Sequence, residues 1–226
     1  MPVLRAVLFD LDDTLLDRSG AYARLCRHWY RTLPREGRPA DEERFVAGMS
    51  TWDQAGRAKH ECYGSLLRLW PGCFADVEAA IAAHRRLLPE FVTVDPRTRA
   101  LLTRLRREGI RSAVVTNGTS ALQRPKLRNT GIDDLVEAIV VSEEVGVAKP
   151  EPEIFQHALA AIDADPATTL FVGDNPAADI GGAKALGMLA AWVHLGRDWE
   201  LATPRPDYVV AAVWELDALL DGATPA

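Results

Sequence analysis

Two kinds of hydrophobic patterning divide the chain. Leu4–Leu11 is a short, nearly continuous apolar run, as expected of a strand buried on both faces. From about residue 18 to residue 92 no such run recurs. Apolar residues there fall at helical spacing instead, with Ala21, Leu25, Trp29 and Leu33 at four-residue steps and Val77, Ile81, His84 and Leu88 further on. Pro34, Gly37 and Pro39, then Trp70-Pro71-Gly72, punctuate these helices. From Val94 onward strands and helices alternate. Pro96 opens a helix carrying Leu101, Leu102 and Leu105, which Gly109 closes. Strands are predicted at Ser112–Thr116, Ala138–Val141, Thr169–Val172, Leu189–Val193 and Tyr208–Val210. Helical stretches are predicted near 120–130, 151–162, 179–186 and 213–220.

Short apolar strands separated by helices predict an α/β fold with a central parallel sheet covered on both faces. The helical block interrupts that sheet after its first strand. The predicted organisation is therefore a core of residues 1–17 and 93–226, with residues 18–92 inserted as an α-helical cap domain. Composition agrees with an ordinary soluble globular protein: 226 residues, 48% apolar and 26% charged. No apolar run approaches the ~20 residues of a membrane helix. The N-terminus meets its first acidic cluster at Asp10, too early for the apolar stretch of a secretory signal, so the expected location is cytoplasmic. A net charge of −6 has the wrong sign for a partner of nucleic acid polymers. Cys26, Cys62 and Cys73 fit no paired motif and are expected as buried thiols, and the scattered histidines predict no zinc site.

In open parallel sheets, ligands bind beyond the carboxyl ends of the strands. After the first predicted strand come Asp10, Asp12, Asp13 and Thr14; after the second come Thr116, Asn117 and Gly118; after the fourth comes GDNPAAD, with Asp174 and Asp179. Lys149 stands before a helix start, stiffened by Pro150 and Pro152. An Asp after a strand often merely caps a helix or makes a turn, which is the expectation for Asp13 and Asp179. Asp10 and Asp12, however, alternate at period two and are expected to face one side of the strand end. Two carboxylates held together repel unless a proton or a cation intervenes. With Asp174 as a third, they predict a hard-cation site suited to Mg²⁺. The Thr116 hydroxyl, the Asn117-Gly118 amides and the Lys149 ammonium would complete a phosphoryl cradle.

DLDDT, TNG, KPEPEIF and GDNPAAD, in this order, resemble the four motifs of the haloacid dehalogenase (HAD) superfamily of phosphatases, and the resemblance spans the chain. It implies a three-layer Rossmann-like core with the helical block as cap. It also implies Asp10 as a nucleophile forming an aspartyl-phosphate, and Asp12 as general acid and then base. Thr14 and Thr116 would orient the phosphoryl group, with Lys149 pairing with Asp10 and phosphate oxygens. Mg²⁺ would be held by Asp10, Asp174 and the main-chain carbonyl of Asp12, supported by Asp179. The TNGTSALQRPKLRNTGI and VVSEEVGVAKPEPEIF stretches are most similar to the subgroup containing nucleotide 5′-monophosphatases, although Pro125 falls where a helix interior is expected and should bend or delay that helix. A cap of this size predicts small phosphorylated metabolites as substrates. Trp52, among polar residues, and Arg57 are the candidate substrate contacts there, while Trp29 is expected in the helix core. A phosphotransferase or mutase would share every core motif. A 2-haloacid dehalogenase would have no use for an acid at Asp12, and a non-catalytic binding module would have no need to keep Asp10, Asp12, Lys149 and Asp174 together.

Overall fold

The N-terminal apolar run forms β1 (Ala6–Phe9), with all four residues buried. The computed structural model describes residues 4–54, 58–202 and 204–221. The chain divides into two units, Met1–Leu16 with Val94–Ala226 and Asp17–Thr93.

The Asp17–Thr93 unit is helical: α1 (Arg18–Thr32), α2 (Glu42–Gln54), α3 (Lys59–Leu69) and α4 (Val77–Phe91). Asp17 and Asp76 cap the first and last of these by accepting from Gly20 N and Ala79 N, each at 2.8 Å. The apolar stripe of α1 is wider than its four-residue steps suggest, because Tyr22, Cys26 and Tyr30 are buried beside Ala21, Leu25 and Trp29. Trp29 meets Tyr63 and Phe74 edge to face, and Trp70 meets Tyr30 and Phe45 in the same manner. Trp70 punctuates the sequence, yet it is wholly buried, with its indole N–H donated to the Glu36 carbonyl. One carboxylate is also buried in this unit. The Asp53 side chain is 2% exposed and pairs with both Arg18 and Lys59. Burial works to raise its pKa, but hydrogen bonds and charge from Arg18, joined by Lys59, outweigh that and hold it at about 2.

In the other unit, α5 (Pro96–Arg107) leads to β2 (Arg111–Thr116), and α6 (Ser120–Thr130) to β3 (Ala138–Val141). A single turn, α7 (Ser142–Val145), and α8 (Pro152–Ala161) then lead to β4 (Thr169–Gly173). A π-helical turn (Pro176–Gly181) runs into α9 (Gly182–Ala185), followed by β5 (Leu189–Val193), β6 (Tyr208–Val210) and α10 (Leu216–Asp221). Among the described residues, six strands form one parallel sheet in the order β3-β2-β1-β4-β5-β6. Ala6 of β1 is in register with Arg111 of β2 and Thr169 of β4. Helical residues such as Ile154, Phe155 and Ala158 pack on strand residues Leu8, Val115 and Phe171 in one buried cluster. The strand order reverses direction at β1, so the crevice beyond β1 and β4 is where a ligand belongs. Among the described residues, no helix is long and apolar enough to cross a membrane.

Three local expectations change. β1 ends at Phe9 although the apolar pattern runs on to Leu11, because Asp13 turns the chain at φ 59° and Asp12 forms an isolated bridge with Leu16. Pro125 does not delay α6, which begins at Ser120 and continues through it. The stretch predicted as helix near 179–186 begins earlier, at Pro176, as the π-helical turn.

Candidate active site

The end of β1 carries Asp10, whose amide donates to the Val172 carbonyl at 2.8 Å and extends the pairing with β4 by one residue. Its carboxylate is buried, and Lys149 Nζ lies 2.5 Å from Oδ1. The same ammonium stands 2.7 Å from Asp179 Oδ1, so one buried lysine serves two buried carboxylates. Asp179 is carried inward by the π-helical turn, whose start Asn175 caps by accepting from Ala177 N and Ala178 N. Its Oδ2 accepts from Asn175 N at 2.9 Å. Gly173 makes this approach possible, since a Cβ there would collide with the Asp179 carboxylate. Asp174 follows directly, its main-chain carbonyl accepting from Trp192 Nε1 and Arg197 Nη2 while Arg197 also reaches its Oδ2 at 2.9 Å.

Ligand oxygens of Asp10, Asp174 and Asp179 all lie within 4.8 Å of one another. Like charges this close oppose ionisation. Burial first, then the charges of Asp179 and Asp174, hold Asp10 well above the ordinary carboxylate range in spite of Lys149. Burial and Asp179 push Asp174 up to about 6, against the pull of Arg197. Asp179 Oδ1, although near Lys149, and Thr14 Oγ1 are buried without an aligned hydrogen-bond partner. Clustered hard oxygen donors, some of them unsatisfied, fit a divalent cation.

The Asp12 carboxylate, beyond the end of β1, has partners of its own. Both of its oxygens contact Lys126 Nζ, at 2.8 and 2.7 Å, and Oδ2 also accepts from Gln123 Nε2 at 3.0 Å. The Gln123 amide donates as well to Thr116 Oγ1 at 2.6 Å and to the Asn117 carbonyl at 3.2 Å. Asn117 and Lys149 exchange two bonds, Asn117 Nδ2 to the Lys149 carbonyl and Lys149 N to Asn117 Oδ1. Gly118, at φ 140°, is held by Ser142 Oγ accepting from its amide at 2.9 Å.

The predicted core residues thus fall at strand ends of one sheet, with two differences. Asp179, expected as a cap or support, stands inside the acidic cluster, whereas the Asp12 side chain points to α6. Spacing also passed over Gln123, Lys126 and Arg197. Gln123 and Lys126 did leave a signal, two polar residues on the buried stripe of α6 with Leu127 and Thr130, but an isolated Lys reads first as a solvated one. Arg197 left none. In the helical unit, Trp52 is half-buried on α2 and its carbonyl faces Cys62 Sγ, while Arg57 lies outside the described residues. Cys26, Cys62 and Cys73 are buried thiols.

Comparison with known proteins agrees with this geometry. The chain is 29% identical to a glyceraldehyde 3-phosphate phosphatase of Pyrococcus furiosus, over 96% of this chain and 92% of the relative. It is 34% identical to the pyrimidine 5′-nucleotidase YjjG of Escherichia coli, over 78% and 76%. The crystal structure of the putative HAD-hydrolase YfnB from Bacillus subtilis, bound to magnesium, superposes with a TM-score of 0.77 at 27% identity, covering 97% of this chain and 99% of that one. The sequence model of the haloacid dehalogenase-like hydrolases matches residues 4–187, so the chain belongs to that family.

Proposed function

We propose that this protein is a Mg²⁺-dependent phosphatase that hydrolyses small phosphomonoesters, of nucleotide or sugar-phosphate type, through an aspartyl-phosphate on Asp10. The observation that carries the reading is the buried Asp10–Lys149–Asp179 contact beside Asp174, with Asp12 of the same motif held by Lys126. The phosphatase and nucleotidase relatives support the substrate class.

Mg²⁺, held by Asp10 and Asp174 with the main-chain carbonyl of Asp12 and with Asp179 alongside, would offset the charge of the phosphoryl oxygens. Lys149 keeps Asp10 oriented and lets an anionic nucleophile meet an anionic ester. An Asp10 oxygen attacks phosphorus as the ester P–O bond breaks, and Asp12 gives its proton to the departing oxygen. Water then attacks the aspartyl-phosphate and passes a proton to Asp12. The P–O bond to Asp10 breaks, and inorganic phosphate leaves. Thr14 and Thr116 supply hydroxyls for the phosphoryl oxygens, and the loop of Asn117 and Gly118 supplies polar backbone. The helical unit, inserted directly after the Asp10 motif, is proposed to limit substrates to small molecules. Trp52 and Arg57 are its candidate contacts.

Phosphate release from p-nitrophenyl phosphate tests this reading. Wild type should turn over with Mg²⁺, lose activity in EDTA and regain it with added Mg²⁺. Asp10→Asn should fall to background with an unchanged circular dichroism spectrum. Activity in EDTA, or a competent Asp10→Asn, would overturn it, and transfer to a second hydroxyl in place of phosphate release would mark a mutase. A panel of nucleotides and sugar phosphates ranked by kcat/KM would then identify the substrate.

A further inference from the structure

We propose that Lys126 and Gln123 are positioning residues for proton transfer, a clamp on α6 that fixes the Asp12 carboxylate toward the leaving oxygen. The inference rests on the reading of Asp12 as the proton carrier, and names what makes it competent.

The buried stripe of α6 consists of Gln123, Lys126, Leu127 and Thr130. Helical stripes facing a core are normally apolar, and burying an ammonium is expensive. Lys126 is 1% exposed, yet it spans from α6 to a carboxylate 114 residues earlier in the chain and contacts both of its oxygens. As a purely structural element this is a poor choice, because an apolar residue of similar volume would stabilise the helix as well or better. A carboxylate gripped through both oxygens does not rotate, and a fixed orientation is what a proton carrier requires.

Gln123 makes the clamp specific. Its nitrogen faces Asp12 Oδ2, Thr116 Oγ1 and the Asn117 carbonyl. The Asn117 carbonyl is an obligate acceptor and the Asp12 carboxylate is one when ionised, so the amide nitrogen fits that end of the side chain. One donor group thus ties the proton carrier to the loop proposed to hold the phosphoryl group. Gly118 belongs to the same device. A Cβ there would lie 3.3 Å from the Gln123 side chain, in addition to the strain of its φ of 140°, so the glycine leaves room for the clamp. Lys149 reaches Asp10 and Asp179. The two buried lysines divide the work: one serves the nucleophile, the other the proton carrier.

The test compares leaving groups. Phenyl phosphate releases a phenolate about as basic as tyrosinate, with pKa ~10, and needs the proton. p-Nitrophenolate is a far weaker base and needs it less. With saturating Mg²⁺, Lys126→Met should lower kcat/KM for phenyl phosphate ~100-fold but for p-nitrophenyl phosphate less than ~10-fold, the steepening expected when a positioned acid is lost. Gln123→Leu should steepen the same dependence more mildly, and it carries the test alone if Lys126→Met does not fold. Parallel losses on both substrates, or no loss in either variant, would overturn the clamp. Asp12→Asn separates the two levels. A steep dependence there, beside flat Lys126 and Gln123 variants, removes the clamp and keeps the reading of Asp12. A flat dependence in Asp12→Asn removes both.

Discussion

Each unit of this protein buries carboxylate charge, and the two do so with opposite electrostatics. In the helical unit, Asp53 sits between Arg18 and Lys59, and its pKa falls to about 2. The charges there satisfy one another, and the group contributes to folding. In the sheet unit, Asp10 and Asp179 share Lys149 while Asp174 beside them pairs with Arg197, and Asp174 rises to about 6. Three close acids against one buried ammonium and the more exposed Arg197 guanidinium leave an excess of negative charge that a cation would relieve. Burial is comparable at the two sites, so burial alone does not mark a functional carboxylate. The balance of partners does: a structural acid is neutralised by its neighbours, whereas a site acid is left in deficit.

Removing charge at each site should therefore act with opposite sign, and this is the largest effect expected. Asp53→Asn leaves Arg18 and Lys59 facing each other and should cost about 2 kcal/mol of stability, the size implied by its lowered pKa. Asp174→Asn removes repulsion and should stabilise the metal-free protein by about 3 kcal/mol near neutral pH, while abolishing the response to Mg²⁺. Hydrogen exchange localises each change, faster across Asp17–Thr93 in the first variant and slower around β4 in the second. A destabilised Asp174→Asn would break the contrast.

The pH dependence sharpens it. Asp174 has a folded pKa of about 6, above its ordinary 3.8, so the folded protein holds that proton longer than the unfolded chain. Metal-free stability should therefore fall as pH rises from about 4 to about 6, with Asp10 shifted in the same direction. Mg²⁺ should oppose that fall, raising the melting temperature more above about pH 6 than at about pH 4. Asp53 has a folded pKa of about 2, below 3.8, so its contribution is complete above about pH 4 and is lost as pH falls through about 2. Melting curves across this range, with EDTA and with Mg²⁺, check both windows. A metal-free protein that gains stability between about pH 4 and about pH 6 would contradict the account of the acidic cluster. The smallest effect is expected from Lys59→Met. Its side chain is 37% exposed and shares Asp53 with Arg18, so the loss should stay below about 1 kcal/mol in urea denaturation.

Much of the scaffold was legible in the sequence. The six described strands fell at short apolar runs, most plainly β1, which is buried on both faces and has no exposed position to interrupt the pattern. Errors fell at element ends. Leu11 is buried, so the apolar run at Leu4–Leu11 outlasts the hydrogen-bonded strand, and the extra residue of the π-helical turn that swings Asp179 inward has no signature in composition. Asp13 makes a turn past the strand, as expected, and its charge also adds to the upward shift of Asp174. In the helical unit the aromatic residues announced a core but not its layout, so Trp70 read as punctuation while it fills the interior.

The sequence by itself determined which residues stand at the strand ends: Asp10 and Asp174 follow their strands and Thr116 ends its own by covalent connection, and connection is what a linear pattern records. Only the tertiary structure decided how charges pair. Lys149 meets Asp10 across 139 residues, Lys126 meets Asp12 across 114, and Arg18 meets Asp53 across 35. The physical reason is that hydrophobic periodicity reports whether a side chain faces inward, whereas an ion pair depends on which inward faces are brought together, and no local spacing encodes that.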